Sequence, residues 1–304
     1  MSILEVRHKT TYRYRRDVTL APHRLMLRPR ASHDLRLVAT ELSCSPQATI
    51  DWTYDVFGNS IAMATFSKQA RELVIESRIK LELYANAWPV FPVAVSAQSY
   101  PFEYDEDDRT DLGALAVPQY HDPDGRLLSW ARAFVRGPAT DSLSLLKDMN
   151  AGISNWISYQ SRDDEGTQAP LHTLNRGFGS CRDIALLMIE AARHLRFGAR
   201  IVSGYLYNPS EQKNSSAPSG STHAWVEIFL PGAGWISFDP TNRTVGGANL
   251  IPVAVARDIK QAVPVSGSFV GAPGDFLGMN VAVSVLDDAA ILAPQPTWRS
   301  QDFG

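Results

Sequence analysis

The chain has 304 residues, of which 44% are hydrophobic and 20% charged, and a formal net charge of −3. This composition excludes a disordered or collagen-like chain and leaves ample length to bury a core, in one large or two ordinary domains. The near balance of charge gives no sequence-wide footprint for nucleic acid, and no apolar run approaches the roughly 20 residues that a membrane helix needs.

The N-terminus turns charged at Glu5 and Arg7 and lacks the apolar core of a signal peptide. Val6, His8, Thr10, Tyr12 and Tyr14 then recur at period two, the strand signal. Leu35–Cys44, Ile50–Tyr54, Ser60–Phe66 and Glu72–Tyr84 continue in β-compatible runs, with a turn at Asp55-Val56-Phe57-Gly58-Asn59. Residues 1–85 therefore read as an antiparallel β domain. Residues 86–125 carry Pro89, Pro92, Pro101, Pro118 and Pro123 and five acids within Glu103–Asp108, and read as a linker or wrapping segment. Those acids read as a solvated surface, since they lack the ligand spacing of a calcium loop.

Helical periodicity starts near residue 126. Leu127, Leu128, Ala131, Phe134 and Val135 share one face, and Leu143, Leu146, Met149 and Ile153 another. The clearest stripe is Ile184, Leu187, Met188, Ala191, Ala192 and Leu195. Ser180 and Asp183 match a capping box before it and Gly198 suits its stop, which puts Cys181 at the first helical position. Strands follow at Ala199–Tyr207, Thr222–Leu230 and Trp235–Asp239, with a turn at 231–234 between the last two. Further strands are expected at Ile251–Ala256 and Asn280–Leu286. Asn208–Ser221 is a polar loop and 287–304 a tail.

The two cysteines cannot make a disulfide framework, and the default is a cytoplasmic, reduced protein. Their settings differ. A helix N-terminus offers free N–H groups and partial positive charge, which favour a thiolate at Cys181. Cys44 lies in a strand with no such setting. A thiolate nucleophile needs a base, and the base an orienting partner. His223 follows the polar loop at a strand start, and a tight turn at 231–234 could set Asp239 beside it. Cys181, His223 and Asp239 then stand in the chain order of a papain-type triad. Each also has a plainer reading: a small buried hydrophobe, a structural histidine, and a cap on the Pro240-Thr241-Asn242 turn.

With their flanks these residues resemble the transglutaminase-like superfamily. Gly179-Ser180-Cys181-Arg182-Asp183 with Arg200–Leu206 resembles its cysteine box, His223-Ala224-Trp225-Val226-Glu227 its histidine box, and Gly234–Asn242 its aspartate box. His8–Tyr14, His23–Arg30 and Asp55–Asn59 resemble the β domain that precedes the core in bacterial members, and Val253–Asp258 continues the likeness after it. The resemblance implies an α+β fold: an N-terminal antiparallel β domain, then a papain-like core at 126–286 in which a helix carrying the cysteine packs on an antiparallel sheet carrying His and Asp. It implies Cys181 as nucleophile, His223 as base and acid, and Asp239 as orienter, with no cofactor.

The oxyanion is then expected at the backbone N–H of Cys181 with a side-chain donor, for which Tyr159 is the candidate. Trp225 either packs beneath the three residues or lines the substrate cleft, and Arg182 either recognises a carboxylate there or is a surface arginine. The expected activity is hydrolysis of a peptide or protein amide through a thioester. Amine transfer, deamidation and a non-catalytic binding or scaffold module are the alternatives. His8, His23, His33, His121, His172 and His194 show no metal spacing.

Overall fold

The computed structural model describes residues 2–162, 166–209, 221–272 and 274–287. Most of the polar loop (210–220) and of the tail (288–304) lies outside the described residues.

The first strands are β1 (Ser2–Leu20), β2 (His23–Leu25), β3 (Leu35–Ser45), β4 (Ala48–Tyr54), β5 (Ser60–Phe66) and β6 (Ala70–Leu83). In β1 the expected alternation holds: Leu4, Val6, His8 and Thr10 are buried, whereas Arg7 and Lys9 are exposed. The connecting region contains β7 (Ser99–Tyr100), α1 (Glu106–Leu112), α2 (Arg126–Arg132), β8 (Thr140–Asp141), α3 (Ser142–Gly152), β9 (Ser158–Tyr159), α4 (Pro170–Arg176) and β10 (Phe178–Gly179). Then come α5 (Cys181–His194), β11 (Ala199–Leu206), β12 (Ser221–Leu230), β13 (Gly234–Asp239), β14 (Thr244–Val245) and β15 (Leu250–Ala256). The last strands are β16 (Val265–Ser266), β17 (Phe269–Val270) and β18 (Phe276–Asp287).

Three sheets carry the fold. One runs β3–β6–β1, with β18 beside most of β1 and β17 beside its end. A second runs β16–β2–β5–β4, and the third β14–β13–β12–β11–β15. The long strands β1 and β6 span two cores. Their Leu4, Val6, Ile79 and Leu81 end packs on Tyr205, Ile251 and Val253 of the third sheet. Their Tyr14, Val18, Leu73 and Ile75 end packs on Leu25, Ala62 and Ala64 of the second. The other face of the third sheet is covered by α5, through Ile184, Leu187, Met188 and Ala191 against Ile201, Ala224 and Val226.

Several sequence expectations change here. Residues 265–287, grouped by sequence with 126–286, pair with the sheets of the first 85 residues. Alternation marks a strand but carries no information about its partner. The acidic run lies at the surface as expected, and it also opens α1, where Asp105 accepts the Asp108 N–H at 2.8 Å and the acids sit at the favourable end of the helix dipole. Helix α4 has no amphipathic repeat to announce it. Helix α2 stops at Arg132, leaving Phe134 and Val135 beyond it. Gly198 is not the stop of α5. That helix ends at His194, the left-handed residue is Arg196, and Gly198 instead leaves room for Leu112, whose Cδ2 would lie 2.7 Å from a Cβ there. Cys44 and Cys181 are both free thiols.

Two polar devices join the layers. Asn59 is fully buried, and its amide bonds both the N–H (2.9 Å) and the C=O (2.7 Å) of Val255 in β15, as a neighbouring strand would. Arg30 donates to the same Asn59 Oδ1 at 2.8 Å, and Asp55 accepts from its Nδ2 at 2.8 Å. The turn motif at 55–59 thus closes the open edge of the third sheet. Deep in α5, the buried pair Arg193–Glu190 (2.7 Å) holds the connecting segment: Glu190 accepts the N–H groups of Gln119 and Tyr120, and Arg193 donates to Leu115 C=O.

Replacing Asn59 by alanine strands both Val255 backbone groups, so Asn59→Ala should lower the unfolding free energy by roughly 2–4 kcal/mol in denaturant titration. His8 is buried between the first and third sheets, bonded to Tyr205 Oη (3.1 Å) and Thr10 Oγ1 (3.0 Å), and burial lowers its pKa to about 4. Between pH 6.5 and about 4 the unfolded chain binds this proton and the folded chain does not. Stability should therefore fall as pH is lowered through that window, by roughly 3 kcal/mol from this group. Melting temperatures of His8→Gln should show a shallower decline over the same range.

Candidate active site

Helix α5 begins at Cys181, with Ser180 as its N-cap in extended conformation. Asp183 reaches back to accept the Ser180 N–H (2.9 Å) and hydroxyl (2.8 Å). The close return needs Gly179, where a Cβ would come within 2.8 Å of Asp183 Cβ. The Cys181 side chain thereby stands at the N–H end of the helix, as the stripe on α5 predicts.

His223 lies at the start of β12 and Asp239 at the end of β13. The hairpin pairs Leu230 with Gly234 and Val226 with Phe238. Carried past Phe238, this register brings the two side chains together: His223 Nε2 lies 2.8 Å from Asp239 Oδ2. The carboxylate thus meets Nε2, and the charge of the ring acts on the Cys181 thiol. Asp239 offers its two carboxylate oxygens to different partners. Its Oδ1 accepts the N–H groups of Thr241 (3.1 Å) and Asn242 (3.2 Å), capping the turn, while Oδ2 meets the histidine. Asn242 adds Nδ2–H···Oδ2 at 2.7 Å. Its part in orienting the carboxylate was not read from sequence; the Asp-Pro-Thr-Asn turn was the signal that could have found it.

Burial and charge oppose each other at all three groups. Burial pushes the Cys181 thiol up, but the His223 ring, the Ala224 N–H and Arg182 outweigh it and hold the thiol below its ordinary value. Burial pushes His223 down, while the bonds and charges of Asp239 and Cys181 raise it well above the usual imidazole range. Asp239, raised by burial, is lowered further by His223 and Asn242. The net directions favour a thiolate beside an imidazolium, with a carboxylate behind it.

Tyr159 is 55% exposed and sits in β9, which pairs in parallel with β10 at Gly179↔Tyr159, just ahead of Cys181. Burial and the Cys181 charge both raise its pKa. Trp225 is 1% exposed and its indole stacks on His223 (6.1 Å between centroids, 23° between planes). It packs beneath the histidine, since strand alternation puts residues 223 and 225 on one side of β12. Arg182 donates from Nε to Gly166 C=O (2.8 Å) and from Nη2 to Arg162 C=O (3.3 Å), so it holds a loop.

His8 and His23 are buried away in the N-terminal sheets, His23 against Ala21 C=O at 2.7 Å. Arg28 donates to Thr40 Oγ1 at 2.7 Å. Burial pushes the Cys44 thiol up to about 11. Among the described residues, no group of three or more His, Cys, Asp or Glu is placed to hold a metal ion, and no helix is long and apolar enough to cross a membrane.

Comparison with known proteins matches residues 4–82 to the bacterial transglutaminase-like N-terminal region and residues 128–240 to the transglutaminase-like superfamily. A Mycobacterium leprae (strain TN) protein, ML0607, described as uncharacterized, is 30% identical over 116 residues, 38% of this chain and 41% of its own length. YebA of Bacillus subtilis (strain 168), likewise uncharacterized, is 33% identical over 69 residues, 21% of this chain and 9% of its own length. The chain thus spans less than half of the curated relatives it matches. A crystal structure from Cytophaga hutchinsonii, provisionally described as a cysteine protease, superposes with a TM-score of 0.71 at 20% identity, over 94% of this chain and 91% of that one. That likeness shows a shared fold, mixed α and β with mostly antiparallel sheets. The chain belongs to the transglutaminase-like superfamily, with a bacterial transglutaminase-like N-terminal region ahead of the core.

Proposed function

We propose that this protein is a thiol-dependent amide hydrolase acting on peptides or proteins, with Cys181 as nucleophile, His223 as general acid and base, and Asp239 as the group that orients the ring. The observation that carries this reading is the buried His223–Asp239 pair, bonded at 2.8 Å, together with Cys181 at the first position of α5. Cys181 thiolate adds to the amide carbonyl carbon. The oxygen that becomes negative is received by the free backbone N–H of Cys181 and by the Tyr159 hydroxyl. On collapse the C–N bond breaks, His223 gives its proton to the departing amine, and a thioester remains. Water then adds, passing a proton to His223, and the C–S bond breaks to restore the thiolate.

Hydrolysis is favoured over transfer because the exposed Tyr159 side leaves the thioester open to water. In this reading residues 1–85, with the strands of 265–287, buttress the sheet that carries His223 and Asp239. Residues 86–125 wrap the core. The thiol must stay free throughout, which suits a reducing cytoplasm.

Iodoacetamide should alkylate Cys181 at a rate that climbs through a pKa below the ordinary thiol value. Cys44, held near 11, serves as the internal control. In His223→Ala the Cys181 profile should move up by about one unit or more, roughly a tenfold loss at neutral pH; an unmoved profile would sink the ion pair. Amide turnover of a mixed peptide substrate, read by product mass, should vanish in Cys181→Ala. Its pH dependence should be bell-shaped: activity rises as Cys181 ionises and falls on the alkaline side as His223 loses the proton owed to the leaving amine. Incorporation of an added amine in place of cleavage would assign transfer.

A further inference from the structure

Asp183 does more than cap α5. Its side chain is fully buried, and its carboxylate receives, besides Ser180, the Gln168 N–H (2.7 Å) and the Arg162 guanidinium, Nε at 3.0 Å and Nη2 at 3.4 Å. A cap needs only the Ser180 N–H. A carboxylate buried this completely is tolerated because a cation and several donors surround it. Arg162 follows Tyr159 by three residues, and Gln168 lies further along the chain, just ahead of α4. From the same helix turn Arg182 holds the carbonyls of Gly166 and Arg162. On either side of Tyr159, Ser158 N–H donates to Gly177 C=O at 2.8 Å and Gln160 N–H to Gly179 C=O at 2.9 Å, the latter two residues before the thiol. The backbone of Tyr159 is thus held by the ladder on both sides, and the buried ion pair anchors the chain two residues beyond Gln160.

We propose that Asp183, acting through Arg162, is a positioning residue that sets where the Tyr159 hydroxyl stands beside Cys181, and so matters for acyl chemistry and not for the thiolate itself. This rests on the reading of Cys181 as nucleophile and Tyr159 as oxyanion donor. The two steps separate experimentally. Alkylation by iodoacetamide is a displacement at a saturated carbon and forms no oxyanion. Acylation by p-nitrophenyl acetate forms one, and releases p-nitrophenolate as the Cys181–acetyl bond is made.

In the full-length protein, Arg162→Ala leaves the Ser180–Asp183 cap intact. Its alkylation rate should stay within about twofold of wild type, while acylation should fall roughly 10–100-fold, as in Tyr159→Phe. The double variant should fall no further than either single one, since both remove the same contribution. Arg162→Lys should recover part of the loss, and Asp183→Asn should behave as Arg162→Ala does. Multiplying losses in the double variant, equal losses of alkylation and acylation in Arg162→Ala, or full acylation by Tyr159→Phe would each overturn the proposal. Slow alkylation of Cys181 in the wild-type protein would instead overturn the nucleophile reading beneath it.

Discussion

Everything at the site depends on how α5 lies on the third sheet. Its apolar stripe of Ile184, Leu187, Met188 and Ala191 has to face Ile201, Ala224 and Val226, and that burial sets the helix along the strands. The helix N-terminus then stands at the start of β12, where His223 is. A thiol, an imidazole and a carboxylate are each costly to bury alone. Together the three become mutually stabilising, because each charge removes the desolvation burden of the next and the helix end supplies free N–H groups to the sulfur. The apolar packing comes first in this logic, and the electrostatics follow from where it leaves the side chains.

The same principle operates at the rear of the sheet. Residues 265–287 return to pair with the first strand, so both ends of the described chain close on one scaffold. β1 and β6 are long enough to pack on two different sheets at once, and Asn59 seals the edge that β15 would otherwise leave open. The buried Arg193–Glu190 pair ties the connecting segment to the far half of α5. The sheet carrying His223 and Asp239 is therefore held from both faces and from one edge. In the proposed reading, that suits hydrogen bonds that keep their lengths while charge moves across them.

Local order was legible wherever one element could announce itself. The turn at 55–59 and the stripe and cap of α5 appear in the sequence with nearly the bounds observed, and the period-two pattern at 6–14 marks the middle of β1, which runs from Ser2 to Leu20. Short elements did not. Helices α1 and α4 span seven residues each without the apolar stripe that marks α2, and the acidic run that opens α1 is a solvated surface as well as a helix start. Gly198 was misread because a glycine after a helix has two uses, a left-handed stop or a close approach, and only the neighbouring Leu112 decides between them.

By itself the sequence determined which residue types lie at a helix start and at two strand ends, since caps, stripes and hairpin turns act over a few residues. It could not say that Trp225 lies buried under His223, that Arg182 holds a loop, or that Asp183 draws in Arg162 and Gln168. Those contacts join residues far apart in the chain. The partner of a buried charge is chosen by which segments the packing brings within hydrogen-bond distance, and that is a property of the whole fold.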